Sequence, residues 1–393
     1  MSDPAPTPEP PLVLRAEPQA APPSAPPVPR KPAPGFWGAV LWCLLFIAVQ
    51  LSCAIGVILL VLGLFAVRSD DPGKFLDAQL GGFAASAKQA GPNDPPRPQM
   101  PIAIGQALAS GMLAAQVGSL LLIVLVVPRV VGPDWKRQFG VRTPAGLHVF
   151  LVLLIVPGFM LLSDGIQELF LRITGITRPA ANEAIHGTFN TVPLFITLVA
   201  VGLGPGLVEE LWCRGFLGRG LSARYGLGWG VLCTSVMFGM LHMDPSLVFI
   251  TGLMGAYLHF LYLATRSIWV PVLLHMLNNG LTALILLSPT LVEAAKEYGA
   301  DQHGFRAVTE LAALGLIVFG SVALWTSRAR LFVPSQTDVG PEEKPWKEEY
   351  PGVSAPPPGS PVKLGHAAVS SAAMLLTLAS FGVLVFLLSK LDS

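Results

Sequence analysis

Residues 205–217, PGLVEELWCRGFL, set two adjacent carboxylates and a guanidinium among apolar neighbours. Glu209, Glu210 and Arg214 are flanked by Leu207, Val208, Leu211, Trp212, Phe216 and Leu217. An ionisable side chain at the centre of a bilayer costs about 2.5–3.5 kcal/mol on insertion scales, so three in one apolar stretch require a reason. On a helix Glu210 and Arg214 stand at i,i+4 with the acid first, the favourable order for an ion pair. Glu209 lies about 100° further around the helix and is left to face something else. The preceding GLGPG (202–206) predicts a helix break that leaves both glutamates in a first turn, where the helix dipole favours carboxylates. By itself the stretch fits a structural salt bridge between spans as well as it fits a site.

Two further motifs change that balance. FGMLH places Phe238 and His242 at i,i+4, and HMLNN places His275 and Asn279 at i,i+4. Residues four apart share a helix face, so His275 and Asn279 point the same way and Phe238 packs beside His242. Peptide hydrolysis inside a membrane needs a water, a base and a donor for the oxyanion. Glu209 is the candidate base. Histidines either ligate a metal through a neutral imidazole nitrogen or orient and polarise the water directly. Asn279 offers an amide N–H to the oxyanion. The HExxH pattern of soluble zinc peptidases is absent. His275 lies early in its span and His242 late in its own, about 9 Å apart in depth for upright helices. Tilt, a break at Pro245 or a short following span has to bring them level.

The elements that position these residues are apolar helices. The 393-residue chain is 52% hydrophobic and 12% charged, against about 25% charged in a soluble domain. The reading is an all-α polytopic transmembrane bundle of eight to nine spans, near 36–67, 103–128, 147–171, 190–212, 229–249, 251–265, 268–288, 309–326 and 367–389. Residues 1–34 hold 13 prolines and read as a disordered tail. Residues 68–101 read as a loop. Residues 36–171 group as N-terminal spans, 190–290 as the motif-bearing core, 291–326 as a further span, 327–366 as a polar Pro-rich linker and 367–393 as a last span. With nine spans and the N-terminus inside, most of the 25 lysines and arginines fall on inside segments, clearest in RVVGPDWKRQFGVR (129–142). The N-terminus is therefore expected in the cytoplasm and the chain in the cell membrane. A net charge of +1 draws no nucleic acid. The four cysteines read as small buried hydrophobes. His259 reads as a packing residue, and His148, His186, His303 and His366 as solvated. Asn278 lies off the Asn279 face. Asp164 and Glu168, like charges at i,i+4, are expected to face water. Gly252 and Gly255 are expected to let helices pack closely.

EELWCR (209–214), FGMLH (238–242) and HMLNN (275–279), in this order, resemble the EExxxR, FxxxH and HxxxN motifs of the CAAX-protease and bacteriocin-processing (Abi) family of intramembrane proteases. TGLMGAYLHFLYLATRSIWVPVLLHMLNN (251–279) resembles the family's Gly-spaced helix, short turn and following helix. The resemblance spans roughly 190–290. It implies a recessed site in which Glu209 activates water, His242 and His275 hold that water or a divalent metal such as zinc, Glu210 and Arg214 support the architecture, and Asn279 serves the oxyanion. The expected activity is an endopeptidase acting on a membrane-anchored peptide or protein in the lipid bilayer. The competing readings are a transporter or channel, and a non-catalytic immunity or scaffold protein of the same fold.

Overall fold

The computed structural model describes residues 32–86, 99–177, 187–300, 304–337, 340–350, 355–365 and 367–389. Residues 1–31 of the Pro-rich tail, and His186, His303 and His366, lie outside them. The helices are α1 Phe36–Val67, α2 Pro72–Ser86, α3 Ile102–Val130, α4 Trp135–Gln138, α5 Gly146–Thr174, α6 Leu194–Tyr225, α7 Leu227–Leu241, α8 Pro245–Thr265, α9 Trp269–Leu287, α10 Pro289–Ala300, α11 Phe305–Thr326 and α12 Ala367–Leu388. Eight of them, α1, α3, α5, α6, α8, α9, α11 and α12, are long and apolar enough to cross a membrane. The chain is a multi-pass, almost wholly helical membrane protein.

Three boundaries differ from the sequence reading. The stretch 229–249 is not one span: α7 has 15 residues, a rise of about 22 Å against a hydrocarbon core of about 30 Å. The chain reverses at His242–Asp244, with Met243 in the left-handed region at φ 51°. The Asp244 side chain caps α8 by accepting from Ser246 N at 2.9 Å, and Pro245 begins the helix, where a missing N–H is harmless. The 68–101 segment is not all loop, since it contains α2. The 327–366 segment carries a small antiparallel sheet of β1 Ala329–Thr337, β2 Gly340–Pro345 and β3 Val362–Leu364, in the order β2-β1-β3. Phe332 lies opposite Pro345, and Ala329 opposite Leu364.

The GLGPG stretch does not break its helix. The chain stays helical from Leu194 to Tyr225 through two wide π-helical turns, Leu198–Leu203 and Leu211–Gly218. An interior proline removes one backbone hydrogen bond and crowds the carbonyl four residues back, and a widened turn relieves that crowding. Glu209 and Glu210 therefore sit mid-helix, not in a dipole-favoured first turn.

α6 is the axis of the core. Every residue from Leu211 to Ala223 is buried, and the Trp212 ring stacks on Phe46 of α1 at 4.9 Å. α1 packs on α3, α7 on α8, α9 on α6, and α11 on both α5 and α12. The end of the bundle where α1 begins is tied by polar contacts. Phe36 N donates to Tyr225 Oη at 3.1 Å, and Arg219 donates to Gln138 Oε1 at 2.6 Å and to Ala33 O at 3.0 Å. Ile268 N donates to Gly140 O at 3.1 Å, and Arg266 pairs with Glu348 beyond the sheet. His148, read as solvated, is fully buried here, because the turn after α11 covers it and Nε2 meets Ser327 O at 3.1 Å. The α7–α8 pair leaves this end and returns to it, so shortening α7 leaves the same basic segments together.

Candidate active site

The site is built where α6 crosses α9. Gly202 and Gly206 lie one turn apart on α6, and α9 runs against them. A Cβ at Gly206 would sit 3.0 Å from Met276 N, and one at Gly202 would sit 3.3 Å from the Gly280 Cα. Small residues at this spacing let helix backbones approach closely in a membrane. That approach carries His275 to the glutamates. Its Nδ1 lies 2.9 Å from Glu210 Oε1. The same oxygen accepts from Arg214 Nη1 at 2.7 Å, so the expected Glu210–Arg214 pair is present and has a third member.

The cluster is dry. Glu210 is 0% exposed, Arg214 1% and His275 2%. Arg214 also donates from Nη2 to Gly255 O on α8 at 2.9 Å, and its guanidinium lies 4.4 Å from the centre of the Phe238 ring. α7 reaches this point because α8 is close. A Cβ at Gly255 would sit 3.2 Å from Ser235 Cα, and one at Gly239 would sit 2.4 Å from Val248 O. Four helices thus converge on the Glu210–Arg214 pair. Buried charges persist only when paired and hydrogen-bonded, and these meet that condition through Oε1, Nη1 and Nη2.

Phe238 also relates the two histidines. Its ring lies 5.2 Å from the His242 ring and 5.7 Å from the His275 ring, edge-on to both. The two imidazoles are therefore no farther apart than those distances end to end. The depth difference expected for upright helices is absorbed at the α7 end, where His242 stands at the reversal into α8. His242 Nδ1 lies 3.1 Å from Phe238 O. A carbonyl only accepts, so His242 Nδ1 donates this bond. Glu210 Oε1 likewise accepts from His275 Nδ1.

Glu209 stands apart from this cluster. It is half-buried, and its Oε2 is enclosed without a hydrogen-bond partner in the protein. Glu210 Oε2 is enclosed likewise, but its other oxygen takes two charge-assisted bonds. Asn279 is half-buried on α9, and its Nδ2 donates to Val201 O at 3.2 Å, while Asn278 Nδ2 donates to Asn279 Oδ1 at 3.1 Å. One Asn279 amide hydrogen is thus directed at α6 rather than at a substrate position. Among the described residues, no group of three or more His, Cys, Asp and Glu side chains is arranged to hold a metal ion. The donor set of two histidines and a glutamate is not such a group.

Other expected residues fall outside the crossing. His259 is buried on α8 beside Tyr262, with ring centres 6.1 Å apart. Glu168, expected to face water, bridges Arg172 and Arg306, the latter at 2.5 Å. Arg172 is an i,i+4 partner, whereas Arg306 is far along the chain and no spacing rule points to it. The Glu210–His275 contact was missed for the same reason: no spacing rule links residues on two helices.

A protein-family profile described as "Type II CAAX prenyl endopeptidase Rce1-like" matches residues 191–281, which contain all three motifs. The Bacillus subtilis (strain 168) protein named "Putative membrane peptidase YdiL" is 31% identical over 173 residues, 43% of this chain and 68% of that protein. No solved structure matches the chain. On the profile and the relative together, the chain belongs to the CAAX-protease and bacteriocin-processing family of membrane proteases.

Proposed function

We propose that the protein is an intramembrane endopeptidase that hydrolyses peptide bonds of membrane-anchored peptides or proteins with a water activated by Glu209. The observation that carries this reading is the enclosed Glu209 Oε2, which has no protein partner, on a carboxylate outside the cluster, while the neighbouring Glu210 is bonded through Oε1 to both Arg214 and His275. An enclosed carboxylate oxygen is stable only with a polar guest, and water is the smallest one. In this mechanism the water donates one hydrogen to Glu209 and directs the other at the Nε2 lone pair of His242 or His275. Its oxygen then attacks the peptide carbonyl carbon as Glu209 takes the proton. The tetrahedral oxyanion collapses, the C–N bond breaks, and the proton on Glu209 passes to the leaving nitrogen. Glu210 holds the His275 ring and stabilises positive charge on it. This reading routes no step through a metal.

The distribution of lysines and arginines supports a cell-membrane protein with its N-terminus in the cytoplasm. The α7–α8 pair begins and ends on one side, so the argument does not depend on counting α7 as a span. The test is cleavage of a membrane-peptide library by the purified protein in proteoliposomes. Wild type is expected to cleave after exhaustive chelation, and Glu209→Gln is expected not to. Cleavage by Glu209→Gln at the wild-type rate would refute the base, and loss of activity on chelation with recovery on adding zinc would refute the metal-free route.

A further inference from the structure

His242 stands at a turn between two helices, and the turn itself has to be held in place. α7 ends at Leu241, and Met243 takes the left-handed region at φ 51° before Asp244 caps α8. Ser246 is the joint of that cap. Its N–H donates to Asp244 Oδ1 at 2.9 Å, and its hydroxyl donates to the same oxygen at 2.8 Å. Its carbonyl meets α5, where Gln167 Nε2 donates to Ser246 O at 3.3 Å. A carbonyl oxygen has two lone pairs, so it can take this bond without leaving the α8 ladder. Gln167 and Ser246 are both buried. Three residues on in each helix, the Phe170 ring of α5 stacks on the Phe249 ring of α8 at 4.6 Å. Residues three apart share a helix face, so amide and ring form one strip of α5 against the start of α8. Gln167 lies in LLSDGIQELFL, outside the motif-bearing residues 191–281. Polar side chains inside apolar spans serve as ties between helices.

We propose that Gln167 is a positioning residue for His242, whose amide ties the capped start of α8 to α5 and so fixes where the turn sets the imidazole. The path runs from Gln167 through Ser246 to its Asp244 cap, two residues from His242. On the other side, His242 Nδ1 donates to Phe238 O at 3.1 Å, so α7 orients the ring while α5 places its turn. The tie stands on the geometry alone; its effect on turnover rests on the endopeptidase reading.

The test is Gln167→Met in the full-length protein, which keeps the length of the side chain and removes the donor. Imidazole NMR shifts are assigned with His242→Gln and His275→Gln. Gln167→Met is expected to move the His242 shift and to leave the His275 shift in place. In proteoliposomes it is expected to lower kcat per folded molecule by about 10–100-fold with KM little changed, the larger figure being the loss for a reacting group displaced by about 1 Å. Gln167→Leu removes the same donor should the methionine variant fail to fold. An unchanged His242 shift, or equal changes at both histidines, would overturn the tie. A moved His242 shift with wild-type kcat would overturn the effect on turnover. If wild type itself cleaves nothing, the endopeptidase reading fails, and the two shifts still decide the tie.

Discussion

The α6–α9 crossing has a closed side and an open side, one residue apart. On the closed side Glu210, Arg214 and His275 share bonds of 2.7 and 2.9 Å through a single carboxylate oxygen, and α8 adds the Gly255 carbonyl. On the open side Glu209 is half-buried with an enclosed oxygen that has no protein partner. Each side carries a glutamate. The difference is what each is bonded to, and it separates architecture from chemistry better than the motif does. A neutralised cluster holds four helices in register. An acid with unmet hydrogen-bonding capacity can take a proton.

The sharpest way to break this contrast is at Glu209. Glu209→Gln is expected to lower cleavage by about 10²–10⁴, the range for removing a general base, with the thermal midpoint unchanged. A drop in stability instead would place Glu209 on the closed side. Glu210→Gln is expected to act in the opposite sense. Removing one partner of a buried ion pair destabilises by about 3–5 kcal/mol, read as a lower denaturation midpoint in detergent, with activity lost as a consequence. If Glu210→Gln folded as well as wild type, the closed side would not be architectural. Gly206→Val sharpens the comparison by forcing α9 away from α6. Overpacking of about 1–3 kcal/mol is expected, together with weaker communication between His275 and Glu210, measurable as a changed His275 imidazole NMR shift. The smallest effect is expected far from the crossing. Arg266→Ala removes the pair with Glu348, worth about 0–1 kcal/mol, and should leave cleavage unchanged. A large loss of activity there would join the sheet region to the site.

The all-helical membrane character was legible because apolar runs long enough to cross a bilayer are unmistakable. Six of the nine expected spans lie within about four residues of their limits, 190–212 runs on to Tyr225, and 251–265 begins at Pro245. The remaining one is instructive. Residues 229–249 are apolar apart from Thr234, Ser235, His242, Asp244 and Ser246, and a hydropathy reading passes over the three that lie together near its end. The structure uses Asp244 to cap a new helix there. Proline misled at 205 and informed at 245, and only the surroundings distinguish the two: Pro205 sits inside a helix that widens around it, while Pro245 begins a helix, where no N–H is required. The Glu210–Arg214 pair was legible because it lies on one helix. The third member, His275, was not, since its place depends on how closely Gly202 and Gly206 admit α9. The strands after α11 were hidden by the prolines around them.

The unequal arms of the α7–α8 hairpin bear on the lipid around the protein. α7 rises about 22 Å and the 21-residue α8 about 31 Å, and the two share the turn at His242–Asp244. One arm matches an apolar layer of about 30 Å and the other falls short of it. Met240 and Met243 are exposed at the shared turn, 60% and 56%. Lipid meets such a mismatch at a cost of fractions of a kcal/mol per Å, so bilayer thickness becomes a variable of the reaction medium: cleavage should change with acyl-chain length.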